Sequence, residues 1–162
     1  WDEWEAAYTT LEGKIEQLAG FKGTLADKDG RDLLAFLQLN DEAGMESYKV
    51  WYYPSLKFDT DQKDNSIEAK RQKVQALFAR FSVATAWYSP EVLTIGIETI
   101  RKWMDGNEEL AVYRFNLEEL YRLQEHVLDE QGEHLLSLSS RFSSSPGSIY
   151  SMLSVADAKF LE

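Results

Sequence analysis

Cysteine is absent from this 162-residue chain. That excludes a disulfide framework and any thiolate metal centre. Histidine occurs only twice, as His126 and His134. HExxH, which needs two imidazoles one helical turn apart with a glutamate between them, occurs nowhere. Glycines are few and scattered, and they form neither a phosphate-binding loop nor a dinucleotide fingerprint. Basic residues are scarce: 17 against 28 acids, a formal net charge of −11. Such a field repels phosphate backbones and anionic headgroups, so neither nucleic acid nor a membrane is an expected partner. No apolar stretch approaches the roughly 20 residues of a membrane span. The opening WDEWEAAY is acidic and aromatic, unlike a signal peptide, and begins without Met. Both ends are expected to be boundaries of a piece, with 1–160 as one helical domain and Leu161–Glu162 as a cloning scar.

What is present is apolar and helical. Hydrophobic residues make up 44% and aromatics 13%, too rich for disorder. A chain of this length buries roughly 70% of its unfolded surface and can build a core unaided. Trp4, Tyr8, Leu11, Ile15 and Leu18 form one stripe at steps of four and three, ended by Gly20 and Gly23. A second helix is expected from an Asp29 cap to about Phe58, kinked or ended by Pro54. Unbroken, it would be roughly 40 Å long. The polar run 59–66 is the clearest linker. A third helix then starts at Asn65 and carries Val74, Leu77, Phe78, Phe81, Ala84, Thr85 and Tyr88. Ser89-Pro90 starts a fourth, running to about Met104. Asn107 caps a fifth, Asp129 a sixth with Leu135, Leu136 and Leu138, and Ser145-Pro146 opens a seventh. The expected fold is all-α: an elongated bundle of about seven helices without significant sheet.

No chemistry assembles from these residues. His126, Glu130 and His134 are spaced by four, but an Asp129 cap leaves His126 outside the helix. The acidic run 59–70 fails as a calcium loop, with Lys63, Asp64 and Lys70 at positions needing a ligand, a glycine and a bidentate glutamate. The paired carboxylates (Glu108–Glu109, Glu118–Glu119, Asp129–Glu130) read as exposed helix faces. The serines of 137–148 lack a nucleophile-elbow frame. Trp51, Tyr52 and Tyr53 could line a peptide groove, although aromatics where a long helix ends more often belong to the core.

Five segments, in order, resemble one family. They are WEAAYTTLEGKIEQLAGFKGTLAD (4–27), YYPSLKFDTD (52–61), ATAWYSPEVLTI (84–95), LEELYRLQEHVLDEQGEHLLSLSS (117–140) and SIYSMLSVADAKF (148–160). Their order and spacing resemble the N-terminal domain of the oligoendopeptidase F family, the M3-type zinc metallopeptidases. Asp129 stands where Ser is usual there, and Gly132 where an acid is usual. The resemblance implies a non-catalytic helical domain of a cytoplasmic endopeptidase that cleaves short peptides, inactive alone. It implies zinc and HExxH in a catalytic domain absent from this chain, so no catalytic or metal residue is carried over. It also implies one wall of a peptide-admitting channel, and an apolar face at Ile149, Tyr150, Leu153 and Phe160 where the catalytic domain docks. The rival expectation is a free-standing acidic helical interaction module.

Overall fold

The computed structural model describes residues 1–143, 145–151 and 153–154. Among these, every regular element is helical. The elements are α1 (Asp2–Ala19), α2 (Arg31–Thr60), α3 (Asn65–Thr85), α4 (Tyr88–Ile95), α5 (Ile97–Gly106), α6 (Glu108–Ala111), α7 (Arg114–Arg122), a 3-10 turn at Gln124–His126, α8 (Glu130–Ser143) and α9 (Ser145–Ser151). The seven expected helical runs are present. Two of them are interrupted: one at Gly96, whose φ of 88° splits α4 from α5, and one at Val112–Tyr113, between α6 and α7.

Helices α1, α2 and α3 pack mutually and form the main body. The α1 stripe supplies Trp4, Leu11, Ile15 and Leu18; α2 supplies Leu33, Phe36, Leu37, Ala43 and Val50; α3 supplies Val74 and Leu77. All of these are buried in one continuous core, which Val92, Ile100, Met104, Leu110 and Leu117 extend into the α4–α7 cluster. Each such aliphatic side chain contributes about 1.5–3 kcal/mol through burial. Helix α8 lies against α3.

The start of α2 differs from expectation. Asp29 is not the main cap; its carboxylate pairs with the Arg31 side chain at 2.9 Å and accepts the Arg31 N–H only at 3.4 Å. Asp27 instead receives the N–H groups of Gly30 at 2.9 Å and Arg31 at 3.2 Å. Gly30 takes the cap position with φ 75°, and a Cβ there would stand 2.8 Å from the Trp103 ring. A left-handed backbone and a ring pressed against it both call for glycine. At α3 the capping oxygen is that of Asp64, one residue before Asn65, accepting from the Ser66 and Ile67 N–H groups. Ser89 is not a cap either, since α4 already starts at Tyr88 and places Pro90 in its first turn. Asn107 and Asp129 do cap as expected, accepting from Glu109 and Leu110 and from Gly132 respectively.

Pro54 neither ends α2 nor leaves a buried gap in it. Lacking an N–H, it cannot donate to the Val50 carbonyl one turn back. The Trp4 indole N–H of α1 donates to that carbonyl at 2.8 Å. Trp4, Val50 and Pro54 are all buried, so a cross-helix bond replaces the missing helical one where water cannot.

Candidate functional surfaces

Three regions follow from this framework: the C-terminal helices, the exposed side of α2, and the loop between α1 and α2. In the first, Asp129 fixes the start of α8, and Glu133 reaches back to the Leu128 N–H at 2.9 Å. Ser137 is the buried face of α8, where it and Leu138 border a groove lined by Ile15, Ala19, Ala76 and Ala79. The leucines that α8 carries face outward. Leu135 is 67% exposed, Leu136 58% and Leu138 47%. A small inward residue lets α8 approach the alanines of α3 and turns its large apolar side chains outward. Beyond it, Ile149, Tyr150 and Leu153 are exposed as well. Phe160, grouped with them from the sequence, lies outside the described residues.

On α2 the aromatic triplet divides. Trp51 is half-buried against Phe78, ring centroids 6.2 Å apart. Tyr53 is exposed but meets Trp1 edge-on at 4.9 Å. Tyr52 stacks on Tyr48 at 5.8 Å with the ring planes 16° apart. Met45, Tyr48 and Leu56 were missed from the sequence, yet their spacing from Tyr52, three and then four and four, is one helical face. At the same end Lys70 lies over both Trp1 and Trp4 and bonds Glu5 at 2.9 Å. That ammonium holds the Glu5 carboxyl below the usual carboxylate range, by direct hydrogen bond first.

The α1–α2 loop is held from α4. Both oxygens of Glu91 accept backbone N–H groups, from Gly23 at 2.8 Å and Leu25 at 3.0 Å. This carboxylate therefore ties together two of the five segments singled out in the sequence. Tyr113 donates to Asp41 at 2.7 Å, joining the α4–α7 cluster to α2. Burial, and then that carboxylate, push its phenol up to about 12. Tyr121 donates to the Val92 carbonyl at 2.7 Å.

The histidine constellation is not assembled. His126 sits in the 3-10 turn and His134 in α8, both exposed, while Glu130 pairs with Lys22. Among the described residues no group of three or more His, Cys, Asp or Glu could hold a metal ion. No described helix is long and apolar enough to cross a membrane.

Fold and surface thus define a class: a helical scaffold, pinned internally, that leaves apolar helix faces uncovered. Comparison with known proteins identifies it further. A family model described as Oligopeptidase F, of the M3 peptidase N-terminal type, matches residues 91–160. The chain is 27% identical over 158 residues to the plasmid oligoendopeptidase F of Lactococcus lactis subsp. cremoris, covering 97% of this chain and 26% of that protein. It is 27% identical over 159 residues to oligopeptidase PepF of Bacillus subtilis strain 168, covering 98% of this chain and 24% of that protein. The solved structure of oligoendopeptidase-F from Enterococcus faecium shares the fold, with a TM-score of 0.87 and 24% identity over 99% of this chain and 31% of that one. The resemblance read from the sequence is borne out: the chain is similar along nearly its whole length to oligoendopeptidase F proteins, and its residues 91–160 match the model of that family's N-terminal part. It spans about a quarter of the length of the curated relatives it matches.

Proposed function

We propose that this chain is the non-catalytic helical part of a zinc-dependent endopeptidase that hydrolyses short peptides in the cytoplasm. Its boundaries would be 1–160, with Leu161–Glu162 outside the domain. The zinc and the glutamate that activates its water would lie in the remainder of the polypeptide, the domain this chain packs against. The helices here would form one wall of the peptide-admitting channel, to which Tyr53 of the aromatic triplet contributes, since Trp51 packs on Phe78 and Tyr52 on Tyr48. Ile149, Tyr150, Leu153 and Phe160 would meet the catalytic domain. The observation that carries this reading is the whole-length match to oligoendopeptidases roughly four times as long. The exposed apolar residues of α8 and α9 support it, because a contiguous apolar patch marks an interaction surface.

The test compares this chain with a family-length polypeptide that contains it, using a fluorescence-quenched oligopeptide with and without a zinc chelator. Cleavage by the longer protein, abolished by the chelator, with none from the 162-residue chain, is the expected result. An inert family-length protein, or cleavage by the short chain alone, overturns the proposal and leaves the interaction module as the better reading.

A further inference from the structure

The exposed side of α2 carries a second uncovered apolar face, remote in sequence from α8 and α9. Met45 is 63% exposed, Tyr48 64%, Tyr52 52% and Leu56 61%. Steps of three, four and four align them along about 16 Å of helix axis. The stripe is rigidly mounted. The other side of α2 is fixed by Ala43, Val50 and Pro54 in the core and by the Trp4 bond to Val50. Its two central rings are already stacked. Little side-chain entropy would be lost if a partner covered them.

We propose that this Met45–Tyr48–Tyr52–Leu56 stripe is a docking ridge for the part of the family-length polypeptide that this chain lacks. The inference rests on the reading above, in which this chain packs against a larger domain. This chain covers only about a quarter of the length of the curated relatives, so most of a family-length polypeptide is available to cover the stripe. Two other occupants fit less well. Pairing the stripe antiparallel with its own copy, Met45 against Leu56, sets Glu42 opposite Asp59 and joins two bodies each of charge −11. A short peptide needs a concave site, and this is the convex ridge of a helix. The covering surface is therefore an apolar groove with polar groups at its edge for two phenol hydroxyls.

Chemical footprinting tests this without any substitution. Oxidation of Met45 and radical labelling of Tyr48 and Tyr52 are measured in the 162-residue chain and in the family-length polypeptide, with peptide hydrolysis assayed on the same samples. The expected result is ready modification in the short chain and several-fold slower modification in the long one. Equal rates in both overturn the proposal. Protection already present in the short chain and lost on dilution overturns it in favour of a second copy. Protection that appears only when an oligopeptide is added overturns it in favour of a substrate site. Equal labelling in a protein that still hydrolyses peptides sinks this inference alone. Protection in a protein that hydrolyses nothing sustains the ridge and sinks the peptidase reading.

Discussion

Helices α1 and α8 have the same kind of sequence and opposite fates. In α1 the apolar residues at helical spacing are covered: Leu11 and Leu18 are fully buried and Ile15 nearly so. In α8 Leu135 and Leu136 stand in solvent, and the buried position belongs to Ser137. Amphipathic spacing says that a helix has an apolar face, but not which neighbour covers it. In α1 the covering neighbours, α2 and α3, are part of this chain. For the outward faces of α8, α9 and α2, no described residue plays that part to the same degree.

The largest expected effect tests this contrast directly. In the isolated chain, Leu11→Ala or Leu77→Ala should cost about 2–5 kcal/mol in urea unfolding, since both side chains are fully buried. Leu135→Ala and Ile149→Ala should change stability by no more than about 0.5 kcal/mol, as exposed substitutions do. A Leu135→Ala loss comparable to that of Leu77→Ala would mean that the α8 face is covered in solution, and the two regions would no longer differ.

The same contrast explains what the sequence made legible. Strong periodicity carried the main helices, and the caps at Asn107 and Asp129 were plain because only one side chain stood in position. At α2 and α3 two capping side chains compete: Asp27 and Asp29 before one, Asp64 and Asn65 before the other. At α2 the Asp27 cap goes with a left-handed turn at Gly30, where a Cβ would meet Trp103, a residue far along the chain. Gly132 stands where the resembled family usually has an acid, yet a Cβ there would lie 2.7 Å from Leu128 Cβ. Pro54 read as a break because sequence spacing does not reveal that Trp4 supplies the lost donor. The exposed α2 stripe is legible in its spacing, but the triplet 51–53 does not show by itself which of its rings face outward. Tyr52 belongs to the stripe, while Trp51 turns inward.

The next effect in size sharpens the covered side of the comparison. Trp4→Phe keeps an aromatic ring but leaves the buried Val50 carbonyl without its donor, which should cost about 1–3 kcal/mol. Pro54→Ala restores a backbone N–H able to bond that carbonyl within the helix. Trp4→Phe should therefore cost roughly 1 kcal/mol less on the Pro54→Ala background than alone. Strict additivity in this double-mutant cycle would show that the indole contributes only its bulk.

The smallest effect concerns pH and the cap of α3, the helix that both covers α1 and supports α8. The Ser66 hydroxyl, then the Ser66 and Ile67 N–H groups, hold the Asp64 carboxyl below the usual carboxylate range. A lowered folded value means that the unfolded chain binds the proton first as pH falls. The stabilisation is thus fully present above the ordinary carboxylate pKa and is lost as pH drops through the folded value. Asn caps a helix about as well as Asp but does not titrate. The stability difference between the parent and Asp64→Asn, followed by thermal melting from neutral to acid pH, should therefore favour the parent less as pH falls. A difference constant across that range would mean that the carboxylate charge adds nothing to the cap.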